Sequence, residues 1–169
     1  MRIIVLGCGN IGYAATMDLA ESLPSSEIVI ADKDKARAEE VVSKVNQGNV
    51  SWTRVDVANH NELVSTLSKF DLIVSALPGS IGFKACKAAI DSKVDIVDVS
   101  YMPEDIMVLQ KDALKAGVLI VPDTGMAPGL SNILVGRGAS RLDGVQTVHI
   151  LNGGLPEKPV PPLGYVITW

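Results

Sequence analysis

Short apolar runs rich in valine and isoleucine alternate along this chain with longer segments whose apolar positions recur at intervals of three and four. The first pattern belongs to buried strands and the second to amphipathic helices, so the rhythm is strand, helix, strand, helix. It predicts strands near Arg2–Leu6, Glu27–Ala31, Ser51–Val55, Leu72–Ala76, Ile96–Val99 and Val118–Val121. Helices are predicted near Asn10–Ser22, Lys35–Asn46, His60–Ser68, Ile81–Asp91, Pro103–Ala116 and Pro128–Arg141. Because the strands are continuous apolar runs, they suit a parallel sheet covered on both faces. Right-handed crossovers then make a doubly wound α/β fold.

After Arg141 the rhythm changes. Val145–Leu151 partly alternates, Gly153-Gly154 interrupts it, and prolines fall at 156, 159, 161 and 162. This predicts a strand leaving the first domain and then a proline-stiffened loop. Gly164–Trp169 begins another apolar strand, an exposed edge that is a poor end for a fold. The expectation is therefore one domain over residues 1–143, with 144–169 the first strands of a truncated α+β second domain.

Composition narrows the partners. The chain has 169 residues, with 15 Lys+Arg against 19 Asp+Glu and a formal charge of −4, which gives no basis for binding nucleic acid. Hydrophobic residues at 47% and charged ones at 20% are the balance of a globular domain. The apolar opening resembles a signal peptide, but Gly7, Gly9 and Gly12 break it and Asp18 and Glu21 follow. No apolar stretch is long enough to span a membrane. Two cysteines, Cys8 and Cys86, form no disulfide framework, and a cytoplasmic setting is expected.

The chemistry starts at Gly7-Cys-Gly-Asn-Ile-Gly12, directly after the first strand and at the opening of the first helix. That spacing carries weight only in context. Here a strand precedes it, an Ala14-Ala15 pair lets the helix approach the sheet, and Asp32 stands 20 positions beyond Gly12. Gly7 permits the tight turn, Gly9 removes a side chain that would block a pyrophosphate, and Gly12 allows close packing of helix on strand. The amides of the first helical turn, including Asn10 and Ile11, face an anion with the positive end of the helix dipole. These are the marks of a Rossmann-type sheet holding a nicotinamide dinucleotide. Asp32 would take the adenosine ribose hydroxyls and repel a ribose phosphate, favouring NAD over NADP, although Lys33, Lys35 and Arg37 stand ready to neutralise one.

Other strand exits should line the same crevice. Asp56 and Val57 are placed to meet the adenine, with a turn or capping role for Asp56 as the plainer alternative. Ala76, Leu77 and Pro78 border the point where strand order reverses, and the Pro-Gly turn there also suits simple chain reversal. Asp98-Val-Ser-Tyr101 puts three polar side chains beside the expected nicotinamide position. Thr124–Asn132 joins a strand to a helix, with Pro128 in the first helical turn. Asp98, Ser100, Tyr101 and Asn132 are thus candidates for a substrate crevice, with loop and cap chemistry as the alternative. Cys8, Cys86, His60 and His149 show no metal-ligand spacing, so no metal site is expected. No tyrosine is followed four residues later by lysine, which excludes a short-chain reductase.

These blocks, in this order, resemble the saccharopine dehydrogenase-like family of amino-acid oxidoreductases. The shared pieces are the Gly7–Gly12 turn, Asp32, Leu77-Pro78, Asp98–Tyr101, Ala127–Asn132, Gly153–Pro156 and Pro161–Tyr165. Ala127 resembles the lysine 6-dehydrogenase branch more than the saccharopine reductases, which commonly carry Asp there. The resemblance implies hydride transfer between NAD(P) and the CH–NH group of lysine or a lysine-derived substrate. It also implies a homodimer when full length and a further substrate domain beyond this segment, without which the segment is expected to bind coenzyme but not turn over. The rival readings are a non-catalytic NAD-sensing module, which needs neither Ala127–Asn132 nor the final extension, and a methyltransferase, which would take S-adenosylmethionine instead.

Overall fold

A computed structural model describes residues 1–153. Six parallel strands form one sheet in the order β3-β2-β1-β4-β5-β6. They are β1 (Arg2–Leu6), β2 (Glu27–Asp32), β3 (Val50–Arg54), β4 (Leu72–Ser75), β5 (Asp95–Asp98) and β6 (Ile120–Val121). The helices are α1 (Asn10–Ser22), α2 (Lys35–Val45), α3 (His60–Leu67), α4 (Gly79–Ser92), α5 (Gln110–Ala116) and α6 (Leu130–Ala139). Strand order reverses between β1 and β4, as a doubly wound sheet requires.

The two-residue period of the strands divides their side chains between two cores. Ile3 and Val5 of β1, with Ile28 and Ile30 of β2, meet Ala20 of α1 and Ala38, Val41 and Val45 of α2. Ile4, Leu6, Val29 and Ala31 face the other way, with Ile73 and Ile96, onto Leu63 and Leu67 of α3 and Ala85, Cys86 and Ala89 of α4. Small residues on the buried side of α4 bring that helix close to the sheet.

Local chemistry sets the helix ends. The Asp34 carboxylate accepts from Ala36 N at 3.0 Å and starts α2, and Asn46 closes it in the left-handed region at φ 48°. Asn59 accepts from Glu62 N at 3.3 Å and starts α3.

Three expectations need correction. The segment expected as a helix over Pro103–Ala116 is a 3-10 turn, Ile106–Leu109, followed by α5, because Asp105 accepts from Met107 N and starts the turn late. Pro128 lies outside α6, since Gly129, at φ 132°, is the residue before the helix. Val145–Leu151 carries no strand, for no neighbouring strand among the described residues pairs with it. The expected strand at Gly164–Trp169 lies outside the described residues. Among the described residues, no helix is long and apolar enough to cross a membrane.

Candidate functional site

The turn from β1 into α1 is shaped by its glycines. Gly7 holds φ 100°, and a Cβ there would stand 2.6 Å from the Ala76 carbonyl oxygen. A Cβ on Gly12 would stand 1.8 Å from the Gly7 carbonyl oxygen, so only hydrogen lets α1 close against the turn. Gly9 differs: nothing lies within 4 Å of the place its Cβ would occupy. Close packing at two glycines and open space at the third is the shape a diphosphate needs. No side chain caps α1 and no acid lies in its first turn, which leaves the first amides, among them those of Asn10 and Ile11, to another acceptor. Ala14 is exposed, so the close approach of α1 rests on the buried Gly12, Thr16 and Ala20 rather than on an alanine pair.

Asp32, the last residue of β2, is tied to this turn. Its Oδ2 accepts from Cys8 N at 2.9 Å and its Oδ1 from Asp34 N at 2.9 Å. A carboxylate oxygen has a second lone pair, so both atoms can still receive a ligand hydroxyl. Burial, and then the Asp32 charge, push the Cys8 thiol up to about 12, and burial pushes Cys86 up to about 12 as well. Both are protonated at neutral pH and neither is a nucleophile.

A crevice of about 410 Å³ opens along the carboxyl ends of the strands. Gly7, Cys8 and Gly9 form its floor, Asp32, Lys33 and Arg37 one rim, Asp56, Val57 and Ala58 another, and Ala76, Leu77, Pro78 and Ile81 the far side. Four separate strand exits therefore converge, each from a segment singled out in the sequence. Asp56 also turns its own loop, accepting from Ala58 N at 2.9 Å, while the helix cap is Asn59. Pro78 precedes the first residue of α4, so Pro78-Gly79 begins a helix rather than reversing the chain. Lys35 stays outside, paired with Glu39 at 3.5 Å and over the Trp52 ring. Arg37 faces Asp34 at 3.7 Å as well as the crevice.

The four substrate-crevice candidates do not line this space. Asp98 and Ser100 are buried and bonded to each other, with Ser100 N donating to Asp98 Oδ1 at 2.8 Å. Tyr101 is exposed beside them. Asn132 turns back on its own helix, its Oδ1 accepting from Gly129 N at 3.4 Å and from the Ser131 hydroxyl at 3.0 Å. The period of two along β5 could have revealed the burial, because it sets Asp98 on the same face as the core residue Ile96. His60 has a partner that the sequence did not show, Asp91 Oδ2 at 2.8 Å. Among the described residues, no group of side chains is arranged to hold a metal.

Fold, glycine turn and crevice together define a dinucleotide-binding α/β domain of the Rossmann type. Residues 3–121 match the family model described as saccharopine dehydrogenase NADP binding domain. The chain belongs to that family of nicotinamide-dependent oxidoreductase domains. It is 25% identical to the NADP(+)-dependent, L-glutamate-forming saccharopine dehydrogenase of Saccharomyces cerevisiae, over 99% of this chain and 38% of that enzyme. It is 29% identical to the mitochondrial alpha-aminoadipic semialdehyde synthase of Bos taurus, over 99% of this chain and 18% of that protein. The solved structure of the apo, L-Glu-forming saccharopine dehydrogenase from Saccharomyces cerevisiae superposes with a TM-score of 0.73 at 21% identity, covering 83% of this chain and 31% of the other, a likeness of fold. The chain thus spans well under half the length of these relatives.

Proposed function

We propose that this chain is the coenzyme-holding part of an amino-acid oxidoreductase that moves a hydride between a nicotinamide dinucleotide and the CH–NH group of lysine or a lysine-derived substrate. The observation that carries the reading is the Gly9 opening above the α1 amides, flanked by a carboxylate at the end of β2. The residues fit the group: Gly7, Gly9 and the amides of Asn10, Ile11 and Gly12 hold the diphosphate, and Asp32 holds the adenosine ribose. Asp56 and Val57 bound the adenine, and Ala76, Leu77 and Pro78 border the nicotinamide side. When bound, the coenzyme supplies a hydride acceptor.

Amine oxidation needs an uncharged nitrogen and hence a proton acceptor. The crevice carboxylates stand at the end of β2 (Asp32) and in the loop after β3 (Asp56), on the adenosine half, so proton transfer falls to a group outside this crevice. NAD is the coenzyme favoured by Asp32, whose charge repels a ribose phosphate. Lys33 and Arg37 on the same rim offset that charge, and the yeast relative is named for NADP(+). The expected preference for NAD is therefore about tenfold or less.

Calorimetric titration with NAD, NADP and their reduced forms tests the holding role, and saturable uptake is expected. Lysine- or saccharopine-dependent coenzyme reduction by the full-length protein tests the reaction. Dinucleotide uptake with no amine-dependent reduction would favour a sensing module instead. S-adenosylmethionine binding in place of dinucleotide would overturn the reading.

A further inference from the structure

The exits of β5 and β6 form a second polar construction on the same edge of the sheet. Asp98 is fully buried, and none of the ion pairs among the described residues includes it. A buried carboxylate without a cation is costly unless its hydrogen bonds are well made. Here Ser100 gives both its N–H, at 2.8 Å, and its hydroxyl to that carboxylate. Ser75, its register neighbour on β4, is buried too. The Ser75 hydroxyl is near enough to favour the charged carboxylate, yet it is in hydrogen-bonding geometry with nothing.

The main chain of Asp98 reaches in the other direction. Its carbonyl accepts from Thr124 N at 2.9 Å and from the Thr124 hydroxyl at 2.8 Å, tying the β6 exit to the β5 exit. The β5 exit rests on α4. A Cβ on Gly82 would stand 1.9 Å from Ser100 Oγ, and a Cβ on Gly79 would stand 2.0 Å from the Tyr101 carbonyl oxygen. The first turn of α4 is also the turn that Pro78 begins and that carries Ile81 into the crevice. Asp98 thus sits where the β6 exit joins the β5 exit, and the β5 exit meets the helix that borders the nicotinamide side.

We propose that Asp98 is a positioning residue: through Ser100 its carboxylate holds the β5 exit loop, to whose main chain Thr124 ties the β6 exit, against the start of α4, as a fixed wall for the nicotinamide end of the coenzyme and for the substrate. The inference rests on the coenzyme reading above. Burial raises the Asp98 carboxyl above its ordinary range, Ser100 and Ser75 draw it back, and the Asp123 charge beyond β6 raises it further. The facing Cys86 thiol of α4 is neutral, held up by burial and by Asp98.

The test compares binding of reduced dinucleotide with binding of ADP-ribose, which lacks the nicotinamide, by calorimetry on the full chain. The wild type is expected to bind the dinucleotide more tightly. In Asp98→Ala and Ser100→Ala that advantage is expected to shrink about fivefold while ADP-ribose affinity holds. Asp98→Asn should stay within about twofold of the wild type, since its amide oxygen still accepts from Ser100 N and its NH₂ can donate to the Ser100 hydroxyl. If Asp98→Ala does not fold, Ser100→Ala and Asp98→Asn decide. An unchanged advantage in both alanine variants, a parallel loss of ADP-ribose affinity, or no advantage in the wild type would overturn the inference. Failure of the wild type to bind either ligand would overturn the coenzyme reading itself, and this inference with it.

Discussion

Two stretches of the same sheet edge, both rich in polar and small residues, have been put to opposite uses. At the β1–β2 end the glycines clear space and the carboxylate of Asp32 is only partly covered, with lone pairs left over. At the β5–β6 end the carboxylate of Asp98 is sealed and its partners lie within the chain. Polarity at the edge of a parallel sheet therefore does not mark a ligand contact. What separates the two cases is whether the protein has already spent the hydrogen-bonding capacity.

The sharpest way to break this contrast is within the glycine turn. Gly12→Ala puts a methyl group into a main-chain carbonyl that cannot move aside, and it is expected to cost about 3 kcal/mol of stability, at the upper end for overpacking. Gly9→Ala meets open space at an ordinary φ of −75° and should leave stability within about 1 kcal/mol of the wild type. Dinucleotide affinity should nevertheless fall about tenfold or more, because the methyl stands where the diphosphate must lie. Urea unfolding and calorimetry on the two variants separate the effects. Loss of stability in Gly9→Ala with normal binding would reverse the assignment.

Asp32→Ala comes next. It leaves the partly buried Cys8 N–H without an acceptor, a loss of about 1–3 kcal/mol, and it removes the ribose contact as well. Both stability and NAD affinity should drop, with NAD hurt more than NADP. Equal losses for the two coenzymes would show that the carboxylate serves the turn alone.

At the sealed end, pH is the probe. The folded state raises the Asp98 pKa, so the native protein holds a proton that the unfolded chain has released between the ordinary carboxylate range and the raised value. Over that window stability falls as pH rises, and Asp98→Asn should not follow it. Unfolding curves are expected to show the wild type losing ground to Asp98→Asn as pH climbs and regaining it on acidification. Identical pH profiles would mean that the carboxylate is not buried in solution.

Much of this was legible in the chain. Every predicted strand of β1 to β6 is present within a residue or two, because the central strands β1 and β2 are buried apolar runs and each of the others keeps a Val- or Ile-bearing core position, even at the edge strand β3, where only Val50 is buried. The crevice-lining residues were legible where chain position alone decides, as at Gly7, Asp32 and Leu77. What escaped depends on side-chain direction. Asp98 and Asn132 are polar residues at strand and helix ends, yet one faces a glycine of a helix 16 positions earlier in the chain and the other its own helix start. Likewise, Gly129 rather than Pro128 fixes where α6 begins, because its backbone at φ 132° is closed to other residues.

The smallest expected effect bears on whether the two ends of the edge are coupled. His60 opens α3, just after the Asp56–Ala58 wall of the crevice, and its ring meets Asp91 of α4, whose other end supports the β5 exit. The pair is the one side-chain hydrogen bond among the described residues that bridges these elements, but both side chains are about half exposed, at 49% and 56%. Solvent screens such a contact, so His60→Ala should cost less than about 1 kcal/mol. Coenzyme and ADP-ribose affinities should both stay within about twofold of the wild type. If His60→Ala instead weakened both ligands and altered their ratio, α3 and α4 would have to move as one body, and the open and sealed ends would be parts of a single coupled site rather than independent constructions.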